Sequence, residues 1–169
     1  MAGRQSMNRG WSGLVALVVL LGVFVGLGAT AGKLYWNRVE ARGEQLARTE
    51  LVELAKAEIP KVLGYEYKTV EGSLTETFPM FTGDYRREFE ARAINDIIPQ
   101  ARERQLVNQV DVTGVGVQDA KRTAGSVLVF ISRTVTSGKS KEPLHEGSRL
   151  RVDFRKVDSK WLISNIVPI

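Results

Sequence analysis

Apolar residues divide this chain into one uninterrupted apolar stretch near the N-terminus and a longer region where apolar and polar positions alternate. Residues 14–27 contain only Leu, Val, Ala, Phe and Gly, and no charged side chain lies between Arg9 and Lys33. As a helix, the uncharged stretch rises roughly 34 Å, which is enough to cross a hydrocarbon core of ~30 Å. The pattern predicts a transmembrane anchor over residues 11–32, preceded by a cytoplasmic tail over residues 1–10.

A cleaved signal peptide is the alternative for the same stretch. Arg4 and Arg9 supply a basic start, and Ala29-Thr30-Ala31 has the small-x-small spacing that precedes signal-peptidase cleavage. We favour the anchor because the apolar segment continues into helix-compatible sequence without a turn-rich break. Both alternatives send the bulk of the chain across the membrane, and the Lys and Arg counts on the two flanks do not decide the orientation.

Helical periodicity follows the apolar stretch. Residues 33–46 are mostly polar and predict a helical stalk, whereas every fourth residue from Ala47 to Ile59 is apolar and predicts a helix packed on a core. Pro60 is expected to kink or end that helix, because proline lacks the backbone N–H and its ring clashes with the preceding turn. We assign the folded domain to residues 47–169.

Two further helices are indicated before the period of the pattern changes. Ser73 and Glu76 have the spacing of a capping box, which predicts a short helix beginning at Ser73. A third helix is predicted from Asp84 to Ile98, where apolar residues recur every fourth position until Pro99 interrupts the pattern.

The second half of the chain has the period of two that is typical of strands. Val110 to Val117 alternates with a phase slip at Gly114, which indicates a β-bulge. Residues 127–131 are continuously apolar, as in a central strand that is buried on both faces. Residues 137–147 are polar and predict a loop.

Two more strands complete the pattern. Leu150 to Phe154 alternates apolar with charged residues, Trp161 to Val167 ends the chain, and residues 158–159 between them predict a hairpin turn. Helices followed by a four-stranded antiparallel meander predict an α+β domain with the helices on one face of the sheet.

Composition argues against catalytic and metal chemistry. The chain has no Cys, which excludes disulfides, thiolate metal sites and a Cys nucleophile. His145 is the only histidine, and no His or acidic residues accompany it at metal-ligand spacing. We therefore expect no enzymatic activity, no cofactor and no metal site. The net charge of +5 is interspersed with acidic residues, as on a solvated surface, so we expect no nucleic-acid partner.

Four residues are candidates for an apolar pocket. Tyr65, Tyr67 and Trp161 are large aromatics, and Glu58 falls inside the apolar arc of the first helix of the domain. The alternative is that the aromatics belong to the core and that Glu58 reaches water at the edge of the arc. An open cavity surrounded by these residues would favour ligand binding.

A basic row is the candidate interaction face. Arg149, Arg151, Arg155 and Lys156 lie along one predicted strand. They could contact an acidic partner or anionic lipid, and the alternative is a solvated sheet face.

Several short motifs follow the predicted anchor in a distinctive order. They are Gly64-Tyr65-Glu66-Tyr67, Phe81-Thr82-Gly83-Asp84-Tyr85, Val127-Leu128-Val129-Phe130, Thr134-Val135-Thr136-Ser137, Gly147-Ser148-Arg149-Leu150-Arg151-Val152 and Trp161-Leu162-Ile163-Ser164. Their order and spacing resemble the Mce-associated membrane proteins of mycobacteria and related actinobacteria.

The resemblance implies both a fold and a role. The fold is similar to the cones of nuclear-transport-factor-2-like (NTF2-like) proteins and type IV secretion scaffolds, in which about three helices wrap a curved four-stranded antiparallel sheet. The implied role is a non-catalytic accessory subunit that stabilises or positions subunits of an Mce lipid-import complex. The implied location is the cytoplasmic (inner) membrane of the cell envelope, crossed once, with the C-terminal domain on the extracytoplasmic side.

The resemblance also implies partners. We expect Mce transporter subunits and membrane lipid, and homo-oligomerisation stays open. The alternative function is a membrane-tethered module that binds a small apolar ligand such as a lipid, in the manner of NTF2-like and ketosteroid-isomerase-like proteins.

Overall fold

Helices come first and strands follow, as the periodicity predicts. A computed structural model describes residues 43–169, which form one compact unit with its own apolar core. Residues 1–42, with the predicted tail, the predicted anchor and most of the predicted stalk, lie outside the described residues. Within residues 43–169, no helix combines the length and the apolar character needed to cross a bilayer.

Four α-helices lie within residues 43–169, and the last two form one continuous helical segment. Helix α1 covers residues 43–63, α2 Val70–Thr77, α3 Gly83–Arg92 and α4 Ile98–Arg104. A 3-10 turn at Phe78–Met80 follows α2, and a π-helical turn at Ala93–Ile97 joins α3 to α4.

The predicted third helix therefore continues beyond Ile98. Pro99 lies in the first turn of α4. It is preceded by the π-turn rather than by a break in the helix.

Five strands form one antiparallel sheet in sequential order. They are β1 (Tyr65–Glu66), β2 (Val107–Ala120), β3 (Ala124–Ser137), β4 (Ser140–Val157) and β5 (Lys160–Pro168). The α+β class and the antiparallel meander are confirmed, but the prediction of four strands was wrong. Strand β1 pairs through only two residues with Val107 and Asn108, which is too short for alternation to be visible in the sequence.

Helix α1 carries the periodicity that was predicted for it. Ala47, Ile59 and the apolar residues between them at every fourth position are buried. Pro60 does not end the helix, because α1 continues to residue 63. Ile59 and Val62 are both buried on either side of Pro60, and the Gly64 N–H donates to the Pro60 carbonyl at 2.8 Å. Core burial therefore offsets the hydrogen bond that proline removes.

Helix α2 begins earlier than the capping-box pattern predicts. Its N-cap is Thr69 rather than Ser73, and Ser73 already donates its N–H to the Thr69 carbonyl at 2.9 Å. Val70 and Leu74 are both buried, so the apolar face sets the start of the helix and the Ser73 prediction was wrong.

The strand connections follow the predictions in two places and depart from them in one. The register shifts between Val112 and Gly114, as the predicted bulge requires. Asp158 and Ser159 have φ of 47° and 66°, which suits the tight turn of a two-residue hairpin. Residues 137–147 are not a loop, because β3 and β4 extend into them as a hairpin. Apart from Pro143 and Leu144, residues 137–147 are polar or glycine, so the segment lacks the apolar alternation by which strands are recognised.

The two faces of the sheet differ in what covers them. Val127, Val129 and Ile131 on β3 are buried against the helices, whereas Phe130 between them is 44% exposed on the outer face. The helices thus cover one face only, and the core lies between them and the sheet.

Candidate functional site

A cavity of about 420 Å³ lies between the helices and the sheet. Its volume is within the range of small-molecule sites, ~300–1,000 Å³. Apolar side chains make most of the wall, and six polar or charged residues complete it. The lining residues are Val62, Leu63, Tyr65, Leu74, Tyr85, Phe89, Arg92, Ile97, Asn108, Ile131, Arg133, Ser148, Leu150, Ile166 and Pro168.

The charged residues of the wall are both cationic. Arg92 and Arg133 line the cavity, and no carboxylate does. Each arginine has an acidic partner beside the wall: Arg92 Nη2 lies 2.8 Å from Glu88 Oε1, and Arg133 Nη2 is paired with Glu146 Oε2. The surface that faces the cavity therefore favours an anion or a hydrogen-bond acceptor.

Strand pairing brings the polar residues of the sheet together. Tyr65 on β1 lies opposite Asn108 on β2. Asn108 lies opposite Val135 on β3, so Arg133 is its diagonal neighbour on the same face, at roughly 7–8 Å. Alternation along the strands turns all three polar residues toward the helices.

Two buried polar atoms in this group have no partner among residues 43–169. Asn108 is 7% exposed, and its Nδ2 donates to the Leu63 carbonyl at 2.7 Å, but its Oδ1 accepts no hydrogen bond. The Nε of Arg133 is also buried without an acceptor. Leaving such groups unpaired costs stability, so the wall has hydrogen-bonding capacity that a ligand could satisfy.

Both tyrosines of the wall keep their protons. Burial raises the pKa of the Tyr65 hydroxyl above its usual range, and the charge of Arg133 opposes the shift. Burial also raises the pKa of Tyr85, against the charge of Arg92 and a hydrogen bond from the Ile166 backbone, while Glu88 adds to the rise. Each hydroxyl can therefore donate a hydrogen bond to a bound ligand.

The four candidate pocket residues are not brought together. Tyr65 lines the cavity, whereas Tyr67 packs partly buried against the core with the Lys68 ammonium 5.7 Å from its ring. Trp161 lines a separate, more open groove of about 660 Å³ beside α1. Its Nε1 donates to Glu50 Oε2 at 2.6 Å.

Glu58 lies on α1 outside the lining of both spaces. Its Oε2 is buried with no hydrogen-bond partner in the described part of the chain. Burial raises the pKa of Glu58 from 4.5 to about 7, and the charge of Lys61 opposes the shift. This carboxyl is therefore a partly buried group of α1, unpaired among the described residues, and does not line the cavity.

Sequence reasoning missed most of the polar wall. Asn108 lies in a strand beside apolar residues, where a buried polar residue is an exception. Arg133 is only partly buried, and its position among the polar residues 132–134 gave no signal. Tyr85 belongs to the apolar stripe of the third predicted helix and gave no separate signal. Arg92 lies among other charged residues on the same helix and could not be distinguished from them.

His145 lies in the β3–β4 hairpin. His145 Nδ1 lies 3.0 Å from the Thr134 hydroxyl across the β3–β4 hairpin. Within residues 43–169, no three His, Cys, Asp or Glu side chains are grouped so that they could hold a metal ion.

The candidate interaction residues divide between the two faces of the sheet. Arg149, Arg151 and Arg155 alternate with buried residues and lie on the outer face. Lys156 follows Arg155 directly and therefore points to the helix side, where its ammonium lies 5.1 Å from the Trp161 ring and 3.6 Å from Glu50 Oε2. The basic row thus contributes three cations, not four, to the outer face.

Apolar residues accompany these arginines on the outer face. Phe130 pairs with Arg149 on one side and Gly114 on the other, and Leu128 pairs with Arg151 and Gly116 in the same way. The two glycines have no side chain, so the Phe130 and Leu128 side chains stand above a flat stretch of β2. We call the set Leu128, Phe130, Arg149, Arg151 and Arg155 the outer patch.

No protein-family model matches the chain. A Mycobacterium tuberculosis protein named as an outer membrane protein is 28% identical over 159 residues, which cover 94% of this chain and 99% of that protein. An uncharacterised M. tuberculosis protein is 25% identical over 92% of this chain and 71% of its own length.

Solved structures share the fold at low identity. An IcmL-like type IV secretion system protein from Legionella pneumophila superposes with a TM-score of 0.60 at 12% identity, covering 72% of this chain and 93% of that one. The periplasmic domain of DotI has a TM-score of 0.60 at 14% identity, over 70% and 92% of the two chains. CagV, a VirB8 homologue from Helicobacter pylori, has a TM-score of 0.54 at 9% identity, over 74% and 97%. The expected likeness to type IV secretion scaffolds is thus found at the level of the fold.

Proposed function

We propose that this chain is a non-catalytic accessory subunit of an Mce-type lipid-import complex in the cell envelope. The predicted anchor at residues 11–32 ties it to the cytoplasmic membrane, and the domain on the extracytoplasmic side stabilises or positions transporter subunits. The name of the M. tuberculosis relative, an outer membrane protein, and the periplasmic origin of the DotI domain support an envelope location.

The outer patch is the observation that carries the proposal. An antiparallel sheet that faces water on one side is usually polar on that side, yet Phe130 is 44% exposed there beside Arg149 and Arg151. Aromatic residues and arginine are enriched in protein interfaces, and they supply most of the binding energy when a partner covers them. A transporter subunit with an acidic and apolar surface fits this patch.

Affinity capture of the full-length chain from mildly solubilised membranes tests the proposal. We expect Mce transporter subunits to co-purify, and we expect the double variant Phe130→Ser, Arg149→Glu to reduce their recovery by roughly tenfold, since each is a central interface residue. Arg87→Glu is the matched control, because Arg87 is an exposed arginine of α3 away from the sheet, with 77% of its side chain accessible. Equal recovery with both variants would remove the outer patch from the proposal.

Deletion of the gene tests the role itself. Loss of a stabilising subunit lowers the abundance of its partners, so we expect reduced levels of transporter subunits and reduced lipid uptake. Unchanged levels together with unchanged uptake would contradict the accessory role.

Fractionation of the cell envelope tests the location. The predicted helical anchor favours the cytoplasmic membrane, whereas the M. tuberculosis relative is named for the outer membrane. We expect the full-length chain to sediment with cytoplasmic-membrane markers, and recovery with outer-membrane markers would overturn that part of the proposal.

A second candidate function is a tethered module that binds a small apolar ligand. The cavity of about 420 Å³ favours it, because its wall is mostly apolar with a few convergent polar groups. Mass spectrometry of lipids that co-purify with the chain separates the two functions. A stoichiometric lipid supports the module, and its absence from active complexes supports the accessory subunit alone.

A further inference from the structure

Four of the six polar residues of the cavity wall lie side by side on the sheet. Tyr65, Asn108, Arg133 and Ser148 belong to four adjacent strands, and each is directly or diagonally opposite the next on the helix-facing side. We call these four residues the polar end of the cavity. The remaining wall is apolar apart from Tyr85 and Arg92 on α3.

The polar end is suited to an anion. Arg133 is the charged residue of this group, and its Nε is buried without an acceptor among the described residues. Tyr65 lines the same cavity, on the strand beyond β2. A guanidinium presents parallel donors that match the two oxygens of a carboxylate, and a protonated tyrosine adds a further donor.

Glu146 already occupies one side of the Arg133 guanidinium. It binds Nη2 from β4 and is not part of the cavity wall. The pair is partly open to solvent, with 39% and 42% of the two side chains accessible. Surface pairs of this kind are weak, so a carboxylate that enters the cavity can compete with Glu146 for Arg133.

We infer that the cavity binds an aliphatic carboxylate, with its carboxylate on Arg133 and Tyr65 and its hydrocarbon chain against Leu74, Phe89 and Leu150. This inference deepens the second candidate function and rests on it. Glu146 lowers the affinity of the cavity for the carboxylate, because the two compete for the Arg133 guanidinium.

Calorimetric titration of residues 43–169, the unit that carries its own core, provides the test. Decanoate is the probe, and 1-decanol is the neutral probe with the same chain. We expect decanoate to bind at one site and decanol to bind at least tenfold more weakly, since a charge-assisted hydrogen bond is lost.

Two single variants are expected to change decanoate affinity in opposite directions. Arg133→Gln removes the proposed anchor and should weaken decanoate binding by roughly tenfold while leaving decanol unchanged. Glu146→Gln removes the competing carboxylate and should tighten decanoate binding several-fold. A merely structural role for the pair would weaken binding in both variants, so equal losses would overturn the shared-guanidinium inference.

Two further variants locate the site. Ser148→Trp fills the polar end and should abolish decanoate binding, whereas Arg149→Gln removes an arginine from the opposite face and should change nothing. Circular dichroism of each variant confirms that it is folded. Binding that survives Ser148→Trp would place the ligand elsewhere.

The outcomes separate the inference from the function on which it rests. Equal affinity for decanoate and decanol, unaffected by Arg133→Gln, would overturn the carboxylate while keeping an apolar-ligand module. No binding of either probe would overturn both.

Discussion

The carboxyl group of Glu58 is partly buried and, within the described part of the chain, lacks a hydrogen-bond partner for one of its oxygens. Its Oε2 is buried without a partner among residues 43–169, and burial raises the pKa of Glu58 from 4.5 to about 7. The folded chain therefore holds this proton more tightly than the unfolded chain does. Proton binding by Glu58 therefore contributes to the free energy of unfolding below pH 4.5, and this contribution is lost as the pH rises to about 7.

Glu58→Gln should stabilise the domain at alkaline pH and not at acid pH. We expect a gain of roughly 1 kcal/mol at pH ~8, since partial exposure lets water screen part of the penalty, and no gain at pH ~4. Thermal melts at the two pH values measure it, with Glu103→Gln on α4, an exposed glutamate, as the control. A gain that is the same at both pH values would exclude titration of Glu58 as its cause.

Trp161 is fixed by burial and by a hydrogen bond. It is 8% exposed, and its Nε1 donates to Glu50 on α1. Trp161→Ala should destabilise the domain by roughly 3–5 kcal/mol through the cavity it leaves. Trp161→Phe keeps most of the bulk and should cost about 1 kcal/mol for the lost hydrogen bond. Urea unfolding followed by circular dichroism measures both, and an unchanged midpoint for Trp161→Ala would show that the residue is not part of the core.

At the scale of the elements, helix α1 and strand β3 approach closely at Gly125. A Cβ at Gly125 would meet Leu51 Cδ1 of α1 at less than contact distance and the Asp119 carbonyl at 3.0 Å. Leu51 is fully buried, and the Asp119 carbonyl belongs to the backbone of the neighbouring strand. Glycine at this position therefore sets how close the helix lies to the sheet.

Gly125→Ala should destabilise the domain by about 1–3 kcal/mol, because extra volume in a packed core forces neighbours apart. Gly116→Ala is the matched control in the neighbouring strand, since a Cβ there meets nothing within 4 Å. It should be neutral or slightly stabilising. Chemical denaturation measures both, and equal effects of the two substitutions would contradict the close approach.

Most elements that the sequence predicted have one buried and one exposed face. The prediction that the strand at residues 127–131 is buried on both faces was wrong, because Phe130 is 44% exposed on the outer face. The first part of α1 and strands β2 to β5 carry such a face, and their patterns were sufficient to recognise them. Strand β1 has only two residues, and the tip of the β3–β4 hairpin consists mostly of polar residues and glycine. Neither segment shows an alternation of apolar and polar residues by which it could be recognised. Pro60 does not end α1, because burial of its neighbours outweighs local helix propensity.

The candidate site was less accessible to prediction than the fold. Tyr65 was identified by its type, but its companions Asn108 and Arg133 meet it through pairing between strands far apart in sequence. The four basic residues were assigned to one face although Arg155 and Lys156 are consecutive, and strand alternation separates consecutive residues.

At the scale of the whole molecule, residues 43–169 share one core. Helix α1, the short helices and the sheet all contribute buried residues to a single apolar cluster. A domain of this kind usually unfolds as one cooperative unit.

Residues 43–169 produced alone should therefore unfold in a single transition. Far-ultraviolet circular dichroism and Trp161 fluorescence should give the same midpoint in urea, because the helices and the sheet lose their shared core together. Two separate midpoints would show that α1 and the sheet are independent units.

The hydrogen bond from Trp161 to Glu50 joins the two ends of the described fold. It links α1, the first described element, to β5, the last strand, across 111 residues of sequence. Glu50 lies in the N-terminal half of α1, so fraying of this helix from its N-terminal end must break the bond before the helix separates from the sheet. The bond therefore opposes separation of the first element from the last.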